Sequence, residues 1–101
     1  MLKTFKTYQL SLEFNRQSQT LCLPSHLKNQ LNRAAASIVL NLAEGYGRFS
    51  KADQRRFFVI AMGSLRESQA VLDLMPSCPV HCLELADKLA AHIYKLIKAM
   101  G

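Results

Sequence analysis

Two glycines and a group of basic side chains lie together in NLAEGYGRFSKADQRRFF, residues 41–58. Glycines beside cations form phosphate-binding loops in many proteins, because a bare backbone can approach the anion closely. A dinucleotide-binding fingerprint would need a glycine or alanine where Ser50 stands and a strand before it, and the phosphate-loop ending Gly-Lys-Ser/Thr is missing. The stretch therefore favours a turn between two helices over a nucleotide site.

Turn chemistry accounts for most of this stretch. A glycine at the end of the second helix can adopt the left-handed conformation that stops a helix, and Ser50 with Asp53 forms the capping pattern that begins the next one. Lys51, Arg55 and Arg56 then lie near a helix N-terminus, where positive charge opposes the helix dipole. We expect these cations to serve something other than helix stability.

Cysteine and histidine residues form a second candidate cluster. Their spacing, C-x3-H and C-x2-H-C, is capable of tetrahedral zinc binding, although simple burial is the more common fate of cysteine; the residues are Cys22, His26, Cys78, His81 and Cys82. Ser64 lacks a paired base, and Glu44 is better explained as an ion-pair partner of Arg48. We therefore predict no catalytic residue, no bound metal, no cofactor and no enzymatic activity.

Four segments with helical periodicity must position these residues. Apolar side chains recur at steps of three and four over residues 24–44, 51–75 and 79–100. Residues 4–20 alternate in part as a strand would, but no other stretch offers a pairing partner, so a helix is preferred there too. The sequence predicts an all-α, antiparallel up-down-up-down four-helix bundle, with residues 1–101 as its single domain.

The first helix carries two apolar stripes. Phe5, Tyr8 and Leu12 lie on one side, and a second set lies roughly opposite, formed by Leu10, Phe14 and Leu21. One stripe can face the bundle core, and the other needs a partner that this chain does not supply. We expect the second set to form a homo-oligomer interface, although a few exposed apolar side chains are common on any protein surface.

A polar stripe runs along the second helix and ends at Asn41 and Glu44. The rest of that helix is mostly apolar, so its surface is expected to be covered on more than one side. We predict that both side chains are largely buried and hydrogen-bonded, as structural polar residues.

The positive charge of the chain is concentrated at one end of the predicted bundle. Eight of the thirteen basic residues fall there, and only Glu44 and Asp53 oppose them, so this end holds the whole formal excess of +6; the eight are Lys3, Lys6, Arg48, Lys51, Arg55, Arg56, Lys95 and Lys98. A phosphate backbone would offset the repulsion among them. We predict nucleic-acid binding there with weak sequence preference, while a solvated basic face is the alternative. Tyr46 and Phe49 could stack on unpaired bases or pack within the protein.

No targeting signal is evident in the sequence. The densest apolar runs fall short of the roughly 20 residues that a membrane span needs, and MLKTFKTYQLSLEF lacks the continuous apolar core of a signal peptide. Three cysteines without framework spacing fit reduced thiols. A cytoplasmic location without a membrane partner is expected.

The blocks NLAEGYGRFSKADQRRFF and AMGSLRES, with YQLSLEF and IYKLIKAM at the two ends, carry a family resemblance. The chain resembles the bacterial four-helix-bundle proteins encoded in intervening sequences of 23S ribosomal RNA genes, which are similar to the accessory variability proteins of diversity-generating retroelements. The resemblance implies a ring, usually a pentamer, that acts through RNA or DNA and, in retroelements, with a reverse transcriptase. The approach to the last helix, MPSCPVHC, is shorter than usual in that family.

Together these observations predict a non-enzymatic, homo-oligomeric scaffold that binds RNA or DNA through its basic end. A protein-interaction adaptor that binds no nucleic acid is the main alternative, since apolar surfaces alone would then explain the pattern. Salt-sensitive binding to nucleic acid distinguishes the two.

Overall fold

The computed structural model describes residues 5–101, and these form four α-helices packed into a bundle of 41 × 22 × 22 Å. The helices are α1 (Lys6–Gln19), α2 (Ser25–Tyr46), α3 (Lys51–Asp73) and α4 (Val80–Met100). Helix α1 packs on α2 and α4, helix α3 packs on the same two, and the α2–α3 contact is the most extensive. The predicted all-α four-helix bundle is confirmed, with helix ends within two residues of those expected.

The core is continuous from one end of the bundle to the other. Leu31 and Ile38 of α2, Leu65 of α3, and Leu89 and Ile93 of α4 are inaccessible to solvent. They belong to the apolar stripes that the periodicity identified, so each stripe is removed from water by the neighbouring helices.

Helix α1 faces the core with the stripe that was assigned to a neighbouring subunit. Leu10, Phe14 and Leu21 are only 3%, 0% and 8% exposed in the single chain. The same face also buries Ser11 and Ser18, whose hydroxyl groups donate to carbonyl oxygens of the preceding turn at 2.6 and 2.8 Å. Because the chain itself covers this face, the predicted interface role of Leu10, Phe14 and Leu21 is wrong.

The opposite stripe of α1 is partly covered by the same chain. The ring of Phe5 stacks on that of Tyr46, with centroids 4.2 Å apart and planes 5° from parallel, and Tyr8 packs against the core while remaining half-exposed. Both stripes therefore have partners within the bundle, and the apolar pattern of α1 does not by itself require a second copy of the chain.

The α2–α3 turn uses its glycines differently from the prediction. No glycine among residues 5–101 has a positive φ, and Gly47 ends α2 at φ −86°. Gly45 lies inside the helix, where a Cβ would come within 2.5 Å of the Phe58 ring. The predicted left-handed stop is therefore wrong, and Gly45 is needed for the close approach of α3. The predicted cap is confirmed, since Ser50 Oγ accepts from the backbone N–H of Asp53 at 3.1 Å.

None of the helices in residues 5–101 is both long enough and apolar enough to cross a membrane.

Candidate nucleic-acid interface

The topology brings one end of all four helices together. The Phe5–Tyr46 stack joins the start of α1 to the end of α2, and a Cβ at Gly101 would lie 3.4 Å from Arg55 Nε, which places the end of α4 beside the start of α3. We call this region the basic end. It is defined by the lysines and arginines that lie there within residues 5–101: Lys6, Arg48, Lys51, Arg55, Arg56, Lys95 and Lys98. Lys3, which was predicted to join them, lies outside the described residues.

Aromatic packing holds the basic end in place. The Tyr46 ring is stacked on Phe5 on one side and meets Phe58 edge-on, with centroids 5.3 Å apart. Burial raises the pKa of the Tyr46 hydroxyl above its ordinary value. Tyr46 is therefore a packing residue, and the alternative that it stacks on a base is not supported by its position.

Two arginines of the basic end are held by acidic partners and by a ring. Arg48 pairs with Glu44 at 3.0 Å and with Asp53 at 3.7 Å, and Arg56 pairs with Asp53 at 3.1 Å. Both guanidinium groups also lie over the ring of Phe57, at 4.7 and 4.5 Å from its centroid. Much of the charge of Arg48 and Arg56 is thus compensated before any ligand binds.

Glu44 itself corrects one prediction. Its side chain is 56% exposed and pairs with Arg48, as the spacing of four residues suggested, rather than lying buried. The reason is position, because Glu44 lies in the last turn of α2, where the end of the bundle leaves the helix open to solvent.

The remaining cations of the basic end are less constrained. Lys6, Lys51, Arg55 and Lys95 are exposed and form no ion pair within residues 5–101. Lys98 lies 5.9 Å from the ring centroid of Tyr94. The uncompensated positive charge therefore lies on the first turns of α3 and on the adjoining ends of α1 and α4.

The loop between α2 and α3 borders an open cleft of about 500 Å³. Its walls come from the last turn of α2, the loop and the first turn of α3: Ala43, Glu44, Gly47, Arg48, Phe49, Ser50 and Asp53. Phe49 lies at the rim and is fully exposed. The cleft thus combines carboxylates, a guanidinium and one free aromatic ring.

Comparison with known families gives this geometry a context. The family model of the 23S rRNA-intervening sequence protein matches residues 3–101, which includes every residue of the basic end. The chain belongs to this family. The resemblance inferred from the sequence blocks is thereby confirmed, and it extends over the whole bundle. A search of curated proteins found no match.

Asn41 is linked through Ser37 to the α2–α3 contact. Its Nδ2 donates to the backbone oxygen of Ser37 at 2.9 Å and to Ser37 Oγ at 3.0 Å, and the hydroxyls of Ser37 and Ser64 are 2.8 Å apart. Asn41 is half-buried, so its predicted hydrogen bonding is confirmed while its burial is only partial. Sequence reasoning missed Ser37 as its partner, although the residue stands four positions earlier on the same polar stripe.

The far end, defined here by residues 19–28 and 73–83, has a different chemistry. Lys28 Nζ donates to the backbone oxygens of Gln19 and Leu21, both at 2.6 Å, and so completes the end of α1. Cys82 is buried, and burial raises its pKa to about 11. Cys22 is exposed.

The candidate zinc residues at the far end do not form a metal-binding group within the part of the chain that the structure describes. Across residues 5–101, no group of three His, Cys, Asp or Glu side chains could hold a metal ion. The thiol of Cys78 is half-exposed, with a pKa raised chiefly by burial, which opposes the thiolate form that zinc requires. The spacing of Cys22, His26, Cys78, His81 and Cys82 therefore gives no support to a zinc site in this fold.

Proposed function

We propose that this family member is a non-enzymatic, homo-oligomeric scaffold that binds RNA or DNA through phosphate contacts at its basic end. The proposal rests on the exposure of Lys51 and Arg55 and on their lack of an acidic partner within residues 5–101. Both are exposed on the first turns of α3 and have no ion pair within the described chain. Positive charge there opposes the helix dipole, whereas a bound phosphate would both neutralise it and release counterions.

A scaffold role, rather than catalysis, fits the polar groups that the fold brings together. Asn41 donates to the hydroxyl of Ser37, which in turn hydrogen-bonds to Ser64 across α2 and α3, and Glu44 and Asp53 pair with Arg48 and Arg56. Each of these groups has a structural partner. The proposed activity is therefore binding and positioning of nucleic acid.

Self-association is proposed through the outer face of α2 and α3 instead of through α1. Leu40 and Ile60 are exposed. Leu40 lies one turn from Ser37 and Ile60 one turn from Ser64, and because the hydroxyls of these two serines are in contact, Leu40 and Ile60 lie at the same level of the bundle. Several copies in a ring, five in the assembly that the resemblance implies, would cover these side chains and would align several basic ends. Light scattering should give an oligomer for the wild-type chain and smaller particles for Leu40→Asp, whereas a wild-type monomer at micromolar concentration would contradict this part.

Charge reversal tests the nucleic-acid part directly. In Lys51→Glu/Arg55→Glu, binding to fluorescent RNA and duplex DNA should weaken by a similar factor for unrelated sequences, since phosphate contacts carry no base information. The slope of log K against log salt should become shallower by roughly 0.9 for each duplex phosphate that the variant no longer neutralises, or about 1.8 for two.

The control is Arg16→Glu/Lys88→Glu, which reverses two exposed cations away from the basic end. Lys28 is not suitable as a control, because it completes the end of α1. Equal losses in both double variants would mean that net charge alone drives binding. Absence of wild-type binding at low salt would favour the protein-interaction adaptor, for which the exposed side chains of Leu40 and Ile60 are the supporting observation.

A further inference from the structure

Phe49 is the most exposed large apolar side chain of the described residues, at 105% of its reference accessibility. It lies in the short loop between α2 and α3, in the middle of the basic end. Leaving a whole phenylalanine side chain in water forgoes the stabilisation that burial gives. Because Gly47 and Ser50 already form the helix ends on either side, the turn does not need an aromatic residue at this position.

The loop holds Phe49 in a defined place. On one side, the N–H of Gly47 donates to the carbonyls of Ala43 and Glu44, and the N–H of Arg48 donates to that of Gly45. On the other side, Ser50 accepts from Asp53 through its hydroxyl and from Gln54 through its carbonyl. The backbone on both sides of Phe49 is therefore fixed, which reduces the ordering that a bound ligand would have to impose.

The other aromatic rings near the loop already have partners. Tyr46 contacts Phe5 and Phe58, and Phe57 lies under the guanidinium groups of Arg48 and Arg56. Within residues 5–101, Phe49 makes no aromatic or cation–π contact. It is the ring of this loop that remains available to a ligand.

The electrostatics beside Phe49 separate a place for phosphate from a place for a base. In the cleft next to the ring, the carboxylates of Glu44 and Asp53 are paired with Arg48 and Arg56, which leaves little net charge there to attract a phosphate. The uncompensated cations Lys51 and Arg55 lie on the first two turns of α3 and do not line the cleft. A polynucleotide on this surface would therefore keep its phosphates over α3 and turn an uncharged, planar group toward the cleft.

We propose that Phe49 stacks on an unpaired base and makes the basic end selective for single-stranded nucleic acid. This inference rests on the proposed function and adds its substrate class. Stacking on an aromatic ring is available only to a base that has left the duplex, and it tolerates any sequence because every base has a flat face. The cations supply attraction to any polyanion, whereas Phe49 adds affinity only where a base is free.

The test compares Phe49→Ala with Phe49→Tyr, which retains a ring, and Phe49→Leu, which retains apolar bulk. The probes are a labelled single-stranded RNA, a duplex of equal length, and an abasic strand that has phosphates but no bases. We expect Phe49→Ala and Phe49→Leu to weaken single-strand binding roughly 5- to 150-fold, as expected when one base stack is removed. Duplex and abasic binding and the salt slope should stay unchanged, and Phe49→Tyr should bind as the wild type does.

A spectroscopic readout is available because the chain contains no tryptophan. Phe49→Trp introduces a single indole, and its fluorescence should be quenched by the single-stranded RNA and unaffected by the abasic strand. All four variants should unfold at the wild-type midpoint, since the side chain of Phe49 is already fully exposed in the folded protein.

Three results would overturn the inference. Equal losses on all three probes would mean that Phe49 shapes the loop, and no loss on any probe would mean that it does not touch the ligand. Capture of an apolar peptide by the wild type in place of RNA would identify Phe49 as a protein-docking residue. If no probe binds at low salt, the proposed function itself fails, whereas charge-dependent binding with an unaffected Phe49→Ala overturns this inference alone.

Discussion

The two ends of the bundle use cations in opposite ways. At the far end, Lys28 donates to two backbone carbonyls and so completes the C-terminus of α1. At the basic end, the helix ends are completed by the backbone of Gly47 and the hydroxyl of Ser50. Lys51 and Arg55 take no part in either cap. A lysine thus has backbone partners at one end, whereas Lys51 at the other end forms no ion pair within residues 5–101.

The largest effect on stability is expected at Gly45, where the basic end is packed most tightly. In Gly45→Ala, the new methyl group would meet the buried ring of Phe58 at 2.5 Å, and such overpacking lowers the free energy of unfolding by about 1 to 3 kcal/mol. Gly63→Ala is the matched control, because its Cβ would meet nothing within 4 Å. It should raise stability by about 0.5 to 1 kcal/mol. Urea unfolding measures both, and equal gains would contradict the close approach.

The same substitution at each end gives the most direct test of the comparison. Lys28→Met keeps the aliphatic stem and removes two hydrogen bonds, so the free energy of unfolding should fall by about 1 kcal/mol. Lys51→Met removes a charge that opposes the dipole of α3, and stability should stay level or rise by about 0.3 to 1 kcal/mol at low salt. Thermal unfolding of both variants at low and high salt would check the signs, and a destabilised Lys51→Met would show that the basic end does depend on its cations.

The pH effect at the far end is absent at neutral pH and is expected only at alkaline pH. Burial raises the pKa of the Cys82 thiol from 9.0 to about 11. The folded state therefore retains this proton more strongly than the unfolded chain, and the contribution to the free energy of unfolding is complete below pH 9 and is lost as pH rises through 11. Cys82→Ala should show a shallower alkaline decline in urea unfolding than the wild type does. Cys22→Ala, which alters an exposed thiol, should keep the wild-type decline.

Helix positions and the clustering of charge could be predicted from the sequence because both depend on patterns local to one segment. Steps of three and four identified α2, α3 and α4, and α1 followed from the lack of a pairing strand; the antiparallel order then brought Arg48 to the same end as Lys95. The Ser50 cap was equally local, since its donor stands three residues later.

The errors arose where a second helix decides the outcome. In α1, both stripes are apolar, so the sequence does not show which one faces the core. Ser11 and Ser18 share the buried face with Leu10 and Phe14, and because serine is polar, that face was expected to lie outside the core. Only packing shows that small hydroxyl groups satisfied by their own helix can lie in the core. Gly45 resembled a helix stop in the sequence. A glycine is needed there because the ring of Phe58, on another helix, leaves no room for a Cβ. From the sequence, Phe49 and Tyr46 had the same two possible roles, base stacking and packing. The structure distinguishes them, because the Phe5 ring stacks on Tyr46.

The ring of Phe57 has a consequence for the entropy of ligand binding. A free arginine side chain loses rotamer freedom when a ligand immobilises it, at about 0.5 to 1.5 kcal/mol for each such side chain. Arg48 and Arg56 are already restrained between Phe57 and the carboxylates of Glu44 and Asp53. Much of that freedom is lost when the chain folds, so under the proposed function these two guanidinium planes would meet a ligand as a stiff, preformed surface, while the side chains of Lys51 and Arg55, unpaired within residues 5–101, would be ordered only on binding.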